Sequence, residues 1–494
     1  MSAMAKSMNE ENLKIIFGLK IKSFRTHLGL SLQELSKKTG MAVSYLSEIE
    51  SGKKYPKPEK MIRLATALEV DYDKLVSTKV SKDLDPFAAL INSHLVKRFP
   101  FHLFGISGSD ILGLFKNKPE NADAFLQTFL QIGRAYDMSL ENFLFAALRT
   151  YISQHRNYFP ELEKLADKYG RQIGISSEPP SFDQLRKILE DKHGYVIEQE
   201  KLAKDPELKA FRSILRGPGE LSVNDSLLPS QKTFILAKEI GFLELNIKER
   251  PTTSSWIKVQ SFEQLVNNFK AAYFGGALLL QRKRLEKDLQ RLFAQDSWDN
   301  EAFTSLLDLY QVTPEMLLYR ISQLLPGSFG LKNICYFRFI DGMTASSIEL
   351  TKELNMTDTL ISYGVGINEH HCRRQLPLRL LKQLRQKSAP IITGIQKVNF
   401  VKSGTNFLLL SLARPLSLAK TRGAAIALGI KIDNNSRSLI QFIDDPAIVQ
   451  EDVSESCERC PLTDCSERVA EATLIGREKA VEKREAALQR FLKE

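Results

Sequence analysis

Residues 30–54 read LSLQELSKKTGMAVSYLSEIESGKK, and this stretch decides the fold of the N-terminal part of the chain. Ser31 is followed three residues later by Glu34, which is the capping-box pattern that begins a helix. Gly40 interrupts the helical pattern. A second short helix follows and ends at Ser51 and Gly52, where glycine can adopt the left-handed conformation. The spacing therefore predicts two short helices joined by a tight turn.

The helical pattern continues on both sides of this stretch. Apolar residues at helical spacing predict a first helix over 13–28, a fourth over 59–69 and a fifth over 71–76. We therefore expect a five-helix domain over residues 10–78. In such a helix-turn-helix arrangement the third helix can enter the major groove of duplex DNA, which is about 12 Å wide.

The positive charge of the chain is concentrated in the same region. The formal net charge is +10, and the first 80 residues hold 14 basic and 9 acidic side chains, so half of the excess lies in about a sixth of the chain. A local positive field favours a polyanionic partner, because neutralised phosphates release counterions. A solvated basic surface gives the same count, so the charge alone does not identify the partner.

The N-terminal domain resembles the lambda repressor/Cro (XRE) family of helix-turn-helix proteins. The resemblance rests on the run 30–35, on Gly40, on the run 44–53 and on the run 64–68. It implies a domain that binds a double-stranded DNA operator. Because one such module buries little surface, we expect a homodimer on a pseudo-palindromic site.

The same resemblance gives roles to individual side chains of the third helix. Ala42, Val43, Ser44 and, one turn later, Glu48 occupy the base-reading positions, and Glu48 can accept a hydrogen bond from a cytosine amine. Tyr45 suits either a core position or a contact with a phosphate.

Charged residues around the third helix have two further expected roles. Lys53, Lys54 and Lys57 are expected to contact phosphates, which gives affinity and salt dependence rather than sequence selectivity. The alternative for these lysines is a solvated loop. Arg25 and Glu50 match a pair that forms an internal salt bridge in the family, so their expected role is structural.

Residues 234–243, FILAKEIGFL, resemble the active-site helix of the IrrE/ImmA metallopeptidase-like family, in which Ala-His-Glu is followed by an apolar residue and Gly-His. Zinc chemistry there needs two histidines four residues apart and a glutamate as general base. Lys238 and Phe242 occupy the two histidine positions, and the helix around Asn268 and Lys270 offers no carboxylate for a third ligand. The sequence predicts a degenerate domain without catalytic zinc, and a protein that is not an enzyme.

Cys457, Cys460 and Cys465 form a CxxC pair with a third cysteine five residues later. Two thiolates in one turn can bind the same zinc ion or iron-sulfur cluster. The best fourth ligand is Cys372, with His371 as second choice. Neighbouring arginines offset thiolate charge but do not distinguish zinc from iron-sulfur. Free thiols or a redox pair are the alternatives.

The cysteine cluster carries a second family resemblance. Residues 457–468, together with 371–374, resemble the C-terminal domain of the short-chain fatty acyl transcriptional regulators, and residues 147–163 resemble the region before their peptidase-like part. The resemblance implies an acyl-CoA effector and, in some relatives, an iron-sulfur cluster. Residues 469–471 depart from the small and Pro-rich residues that often follow the last cysteine, which leaves the effector open.

Other features of the sequence concern location. We find no signal peptide and no run of eighteen apolar residues, so we expect no membrane partner. Five cysteines in 494 residues do not form a disulfide scaffold and suit a reducing compartment, so the expected location is cytoplasmic. Cys335 lies in an apolar β-type run and is expected to be buried.

The predicted fold class is mainly α and multidomain. The expected parts are the five-helix domain over 10–78, a helical connecting domain over 80–175, the degenerate metallopeptidase-like α+β domain over 181–326, a C-terminal α+β sensor domain with the cysteine cluster over 327–470, and a charged helix over 471–494. Within the fourth part, strands are predicted over 334–340, 407–413 and 424–432. The terminal helix suits either dimerisation or a solvated end.

The predicted function is that of a sequence-specific DNA-binding transcription regulator. Its C-terminal part is expected to sense a small-molecule effector, an acyl-CoA, or a redox or iron state. The two alternatives are a helix-turn-helix protein fused to an active zinc metallopeptidase, and an antitoxin-like regulator that binds a protein partner.

Overall fold

The structure is a computed structural model that describes residues 10–77, 140–175, 178–253, 261–342, 347–357, 369–387 and 389–492. The chain divides into two units. The first contains the described residues up to 151 together with 261–266, and the second contains the others. Residues 78–139, which make up most of the predicted connecting domain, lie outside the described part.

Five helices form the N-terminal domain of the first unit. They are α1 (Glu10–His27), α2 (Leu32–Thr39), α3 (Val43–Glu50), α4 (Pro58–Ala67) and α5 (Tyr72–Val76). The predicted capping box begins α2, where the Ser31 hydroxyl accepts from the Glu34 amide and the Glu34 carboxylate accepts from the Ser31 amide. Gly40 ends α2 at a φ of 68°, a left-handed conformation that favours glycine.

The core of this domain is built from one apolar face of each helix. Ile21, Leu35, Leu46, Ile49 and Leu64 are completely buried in it. On α3 the residues Leu46 and Ile49 face this core. At the N-terminal end of α3, by contrast, Ala42, Val43 and Ser44 are exposed.

The remaining helices before the large sheet run from α6 to α14. They are α6 (Leu140–Gln154), α7 (Pro160–Gln172), α8 (Phe182–His193), α9 (Lys201–Lys204), α10 (Pro229–Glu244), α11 (Phe262–Leu279), α12 (Arg282–Phe293), α13 (Asn300–Tyr310) and α14 (Pro314–Ser328). Between α8 and α10 the chain adds a small sheet of order β1-β3-β2, made of β1 (Val196–Glu198), β2 (Ser213–Leu215) and β3 (Glu220–Val223).

A buried ion pair joins α7 to α14. The guanidinium of Arg320 donates to both carboxylate oxygens of Glu163 at 2.6 and 2.8 Å, and the hydroxyl of Tyr273 on α11 donates to the same carboxylate at 2.6 Å. Burial raises the pKa of Glu163, but Arg320 and Tyr273 outweigh it and hold that pKa below its ordinary value. Glu163 therefore remains ionised and partnered in the interior.

A six-stranded sheet forms the C-terminal part, in the order β5-β4-β8-β7-β6-β9. Its strands are β4 (Ile334–Asp341), β5 (Ile348–Asn355), β6 (Ile392–Phe400), β7 (Thr405–Pro415), β8 (Gly423–Lys431) and β9 (Gln450–Val453). The helices of this part are α15 (Leu376–Lys387), α16 (Asn434–Leu439) and α17 (Thr473–Phe491).

Helices cover both faces of this sheet. Cys335 and Phe337 of β4 pack in one core with leucines of α15, whereas Tyr336 between them contacts Tyr319 of α14. Successive side chains of a strand point to opposite faces, so α14 and α15 lie on opposite sides. Cys335 is buried, as predicted.

The predicted fold class is confirmed, since the structure is mainly α-helical, multidomain, and α+β in its C-terminal part. The three predicted strands appear as β4, β7 and β8, whereas β5, β6 and β9 were not predicted. In the part of the chain that the structure describes, no helix is both long and apolar enough to span a bilayer.

Candidate functional site

The first turn of α3 presents the predicted base-reading positions to solvent. Ala42 precedes the helix in an extended conformation, and Ala42, Val43 and Ser44 are all exposed. Further along the same helix, Leu46 and Ile49 are buried and hold the helix in the core of the domain. The three small side chains therefore lie together on a surface that a DNA groove can approach.

Glu48 and Lys54, two of the predicted DNA-contacting residues, form an ion pair with each other. The Lys54 ammonium lies 2.7 Å from the Glu48 carboxylate, and both side chains are about half exposed. The backbone amides of Lys53 and Lys54 also donate to the carbonyl of Glu48. Exposed pairs of this kind are weak because water screens both charges, so a phosphate can compete for Lys54.

Tyr45, for which a core position or a phosphate contact was predicted, lies at the edge of the core. Its ring packs against the domain core, yet the side chain is only partly buried. The ammonium of Lys60 lies 4.0 Å from the ring centroid, and that of Lys54 lies 5.4 Å away. Cation–π contacts of this geometry orient the two lysines next to α3. The sequence analysis did not single out Lys60, although it lies three residues after Lys57.

The loop between α3 and α4 carries the other predicted phosphate contacts. Lys53, Lys54 and Lys57 are all exposed, and Lys57 is the residue that precedes the first turn of α4. We refer to residues 53–57 as the basic loop. Its lysines follow directly after α3 in the chain and are open to solvent, so they are accessible to phosphates.

The Arg25–Glu50 pair fixes α1 to the end of α3. The Arg25 guanidinium donates to both Glu50 oxygens at 2.6 and 3.0 Å and to the Leu30 carbonyl at 2.6 Å. Both side chains are largely buried. The predicted internal salt bridge is therefore present, and it sets the position of α3 from the helix's C-terminal end.

The helix α10 carries the stretch that resembles a metallopeptidase site. Glu239 is buried and accepts a hydrogen bond from Arg250 at 2.6 Å and one from the Tyr195 hydroxyl at 3.3 Å. The Arg250 guanidinium lies 3.8 Å from the centroid of the Phe242 ring. The carboxylate that serves as general base in such peptidases is therefore neutralised by a protein cation.

The residues of this site do not fit a zinc ion. Lys238 repels a dication, Phe242 has no lone pair, and Glu239 is already bonded to Arg250. Gly241, which the family motif also contains, has a packing role here, since a Cβ at that position would lie 2.8 Å from the Ala271 carbonyl oxygen. The close packing of α10 against α11 is therefore present although the zinc ligands are not.

Backbone pairing joins the segment that carries Cys372 to the segment that carries Cys457. The Cys457 amide donates to the His370 carbonyl at 2.9 Å, the Cys372 amide donates to Glu455, and His371 forms a β-bridge with Ser456. Cys372, Cys457 and Cys460 are buried, and Cys465 is partly buried. Burial raises the pKa of the Cys372 thiol.

Hydrogen bonds and ion pairs join the two segments that carry the cysteines. Glu458 accepts from the backbone amide of His370 at 2.9 Å, and Glu369 forms a two-pronged pair with Arg459 at 2.7 Å. Arg468 donates to the Cys457 carbonyl and closes the loop. Arginines near the cysteines were expected only to offset thiolate charge, and the contacts of Glu369 and Glu458 were not predicted.

His371, the second-choice ligand, is neutral at physiological pH. Burial and, to a smaller extent, the neighbouring Arg373 lower its pKa to about 4. Its Nδ1 is buried and has no hydrogen-bond partner among the described residues. Over the same described residues, no group of three His, Cys, Asp or Glu side chains is placed so that it could hold a metal ion.

Two stretches of the chain match known domain families. Residues 21–75 match the helix-turn-helix family, and residues 190–322 match the IrrE N-terminal-like domain. The chain therefore contains a helix-turn-helix domain of the XRE type and an IrrE-like domain. Neither match extends beyond residue 322, so the resemblance of the C-terminal part to acyl regulators rests on its sequence motifs alone.

Matches to whole proteins are weak. No curated protein is significantly similar to the chain. Among solved structures, a Mycobacterium tuberculosis transcriptional regulator is similar over 66% of this chain and 93% of its own, with 16% sequence identity and a TM-score of 0.47. At that level the similarity carries no argument about function.

Proposed function

We propose that the protein is a transcription regulator that recognises duplex DNA through the helix-turn-helix domain. The observation that carries this proposal is the exposed first turn of α3, where Ala42, Val43 and Ser44 lie next to the basic loop. Short side chains on a helix braced by the Arg25–Glu50 pair suit close approach to base edges, and the lysines supply phosphate contacts.

The test is a fluorescence anisotropy titration of the full-length protein on duplexes from its own promoter region, over a range of salt concentrations. Replacing Lys53 by Ala is expected to weaken binding to all duplexes and to reduce the slope of log K against log salt by about one, because one phosphate contact is lost. Lys192→Ala, on the exposed end of α8, is the matched control and should change nothing. An unchanged slope for Lys53→Ala would contradict the proposed phosphate contact.

We also propose that the protein acts as a homodimer whose C-terminal part responds to a small-molecule effector. The dimer follows from the small surface of a single helix-turn-helix module. An acyl-CoA as the effector is supported by the sequence resemblance alone. The same titration in the presence of a series of acyl-CoAs tests it, and DNA affinity unchanged by every thioester would remove this part of the proposal.

Metal binding by Cys372, Cys457, Cys460 and Cys465 belongs to the same proposal. It is supported by the backbone pairing that places Cys372 against the CxxC loop and by the unpartnered Nδ1 of His371. Anaerobic purification followed by metal analysis and a visible spectrum tests it. Iron with sulfide or stoichiometric zinc, lost in Cys457→Ser but retained in Cys335→Ser, is the expected result, whereas metal-free protein contradicts it.

A second candidate function is zinc-dependent proteolysis, which the IrrE-like match over residues 190–322 favours. The positions of Lys238 and Phe242 oppose it, because neither side chain can coordinate zinc. The peptidase would be established if the protein cleaves a partner, a chelator inhibits this cleavage, and Glu239→Gln abolishes it. We expect neither effect.

A further inference from the structure

A small pocket opens beside α10, next to the position where a peptidase of this fold would hold zinc. Its ionisable lining residues are Arg212, Lys238, Arg250 and Glu239. Three of these are cations and one is a carboxylate, so the lining carries a net charge of about +2 at neutral pH. Zinc peptidases need the opposite balance, since their ligands must attract a dication.

Two of the cations keep hydrogen-bond donors that no group in the described part of the chain accepts, although Arg250 is also paired with Glu239. Glu239 is bonded to one terminal nitrogen of Arg250, and the buried Nε of Arg250 has no hydrogen-bond partner among the described residues. Within the same part of the chain, the Lys238 ammonium forms neither an ion pair nor a hydrogen bond and lies only 5.4 Å from the Phe242 ring centroid. Unpaired charges in partly buried positions are unfavourable unless a partner completes them.

The volume of the pocket limits the partner to a small molecule or to a small group on a larger one. The cavity measures about 70 Å³, and a water-sized group needs about 10–15 Å³. This is room for about five heavy atoms, the size of acetate or inorganic phosphate. Apolar side chains such as Leu215 and Leu221 form part of the wall, which strengthens electrostatic attraction by excluding water.

We propose that this pocket binds a small oxyanion, carboxylate or phosphate, through Lys238 and Arg250. The anion accepts hydrogen bonds from both cations. The pocket therefore suits a negative ligand, whereas the zinc site of a peptidase suits a positive ion. A regulatory effect of this anion rests on the proposed function, because the pocket is then the place where an effector binds. Binding itself is measured without DNA, so its failure and a failure of DNA recognition are distinguishable.

The experiment is isothermal titration calorimetry of the full-length protein with acetate, with inorganic phosphate and with acetamide, at constant ionic strength. Acetamide has the shape of acetate without the charge. Saturable binding of acetate, of phosphate or of both, with none for acetamide, is expected. Acetate alone identifies a carboxylate ligand, and phosphate alone identifies a phosphoryl group.

Variants separate the pocket from the rest of the surface. Lys238→Met is expected to weaken anion binding at least tenfold. Lys232→Met is the matched control on the same helix, because Lys232 is paired with Asp225 and does not line the pocket. Thermal unfolding of both variants verifies that they fold. No saturable heat for either anion, equal binding of acetamide, or unchanged affinity in Lys238→Met would overturn the proposal.

Discussion

The ion pair between Glu48 and Lys54 leads to a prediction about DNA affinity. In the free protein the Glu48 carboxylate neutralises a lysine that we assign to a phosphate. Glu48→Ala releases Lys54 and removes a negative charge from the DNA-facing surface. We therefore expect binding to unrelated duplexes to tighten at low salt, by up to about fivefold, and this gain to shrink as the salt concentration rises.

The matched comparison is a double-mutant cycle with Lys54→Ala, read by anisotropy. If the ion pair is the cause, the gain from Glu48→Ala shrinks when Lys54 is already absent, because no lysine is released. An equal gain in both backgrounds would contradict this explanation.

Lys238 gives a pH dependence with a defined sign. Burial lowers its pKa from 10.5 to about 8; Glu239 opposes this shift, whereas Arg250 and Arg212 add to it. Between these two values the unfolded chain binds more protons than the folded one, so the free energy of unfolding rises with pH there. The destabilisation is full below pH 8 and disappears as the pH passes 10.5.

Lys238→Met lacks this contribution and serves as the comparison. We expect the variant to be more stable than the wild type below pH 8, by about 1–2 kcal/mol after allowance for solvent screening, and the difference to shrink at higher pH. Urea unfolding at several pH values measures it. A difference that does not change with pH would contradict the assignment.

At the scale of elements, the Glu163–Arg320 pair ties α7, α11 and α14 together. Arg320→Met leaves a buried carboxylate without its partner, which typically destabilises a protein by about 3–5 kcal/mol. Arg186→Met is the matched control, because Arg186 forms an ion pair with Glu190 within α8 and is about 38% exposed. Its expected effect is below about 0.5 kcal/mol.

Urea unfolding of the full chain measures the loss of stability in each variant, and hydrogen exchange shows whether α14 is destabilised. Similar stability losses in both variants would contradict the structural role assigned to Arg320. Near-equal stability of Arg320→Met and the wild type would do so as well.

The helix-turn-helix elements were predictable because their signals are local. The Ser31–Glu34 capping box and Gly40 mark the helix ends within a few residues of chain. The strands β4, β7 and β8 were also predictable, since β7 and β8 are nearly continuous apolar runs that helices cover on both faces. The edge strands β5 and β9 read as polar segments, and only their pairing with neighbours identifies them as strands.

The residues of the candidate sites also divide into those that local sequence predicts and those whose contacts depend on the fold. The Arg25–Glu50 pair followed from family spacing, and so did the positions that we propose to read bases. The Glu48–Lys54 pair, the position of Arg250 over Phe242 and the contacts of Glu458 depend on side-chain placement. Arg250 lies eight residues beyond Phe242 in the chain, and no local pattern links the two. Sequence periodicity carries no information about such contacts.

At the scale of the whole molecule, an N-terminal DNA-binding domain is followed by a chain whose peptidase-like helix has lost its zinc ligands. The surfaces that remain are the exposed turn of α3, the cationic pocket at α10 and the cysteine-bearing loop after β9.

The most direct test of the DNA-binding account is the specificity ratio of the intact protein. Duplexes are selected from a random pool, and the affinity for the enriched sequence is compared with that for a scrambled duplex at several salt concentrations. The account predicts a preference of at least about 10³ for the enriched duplex and an affinity that falls linearly on a log–log plot as salt rises. Equal affinity for both duplexes, or no salt-sensitive binding to either, would contradict it.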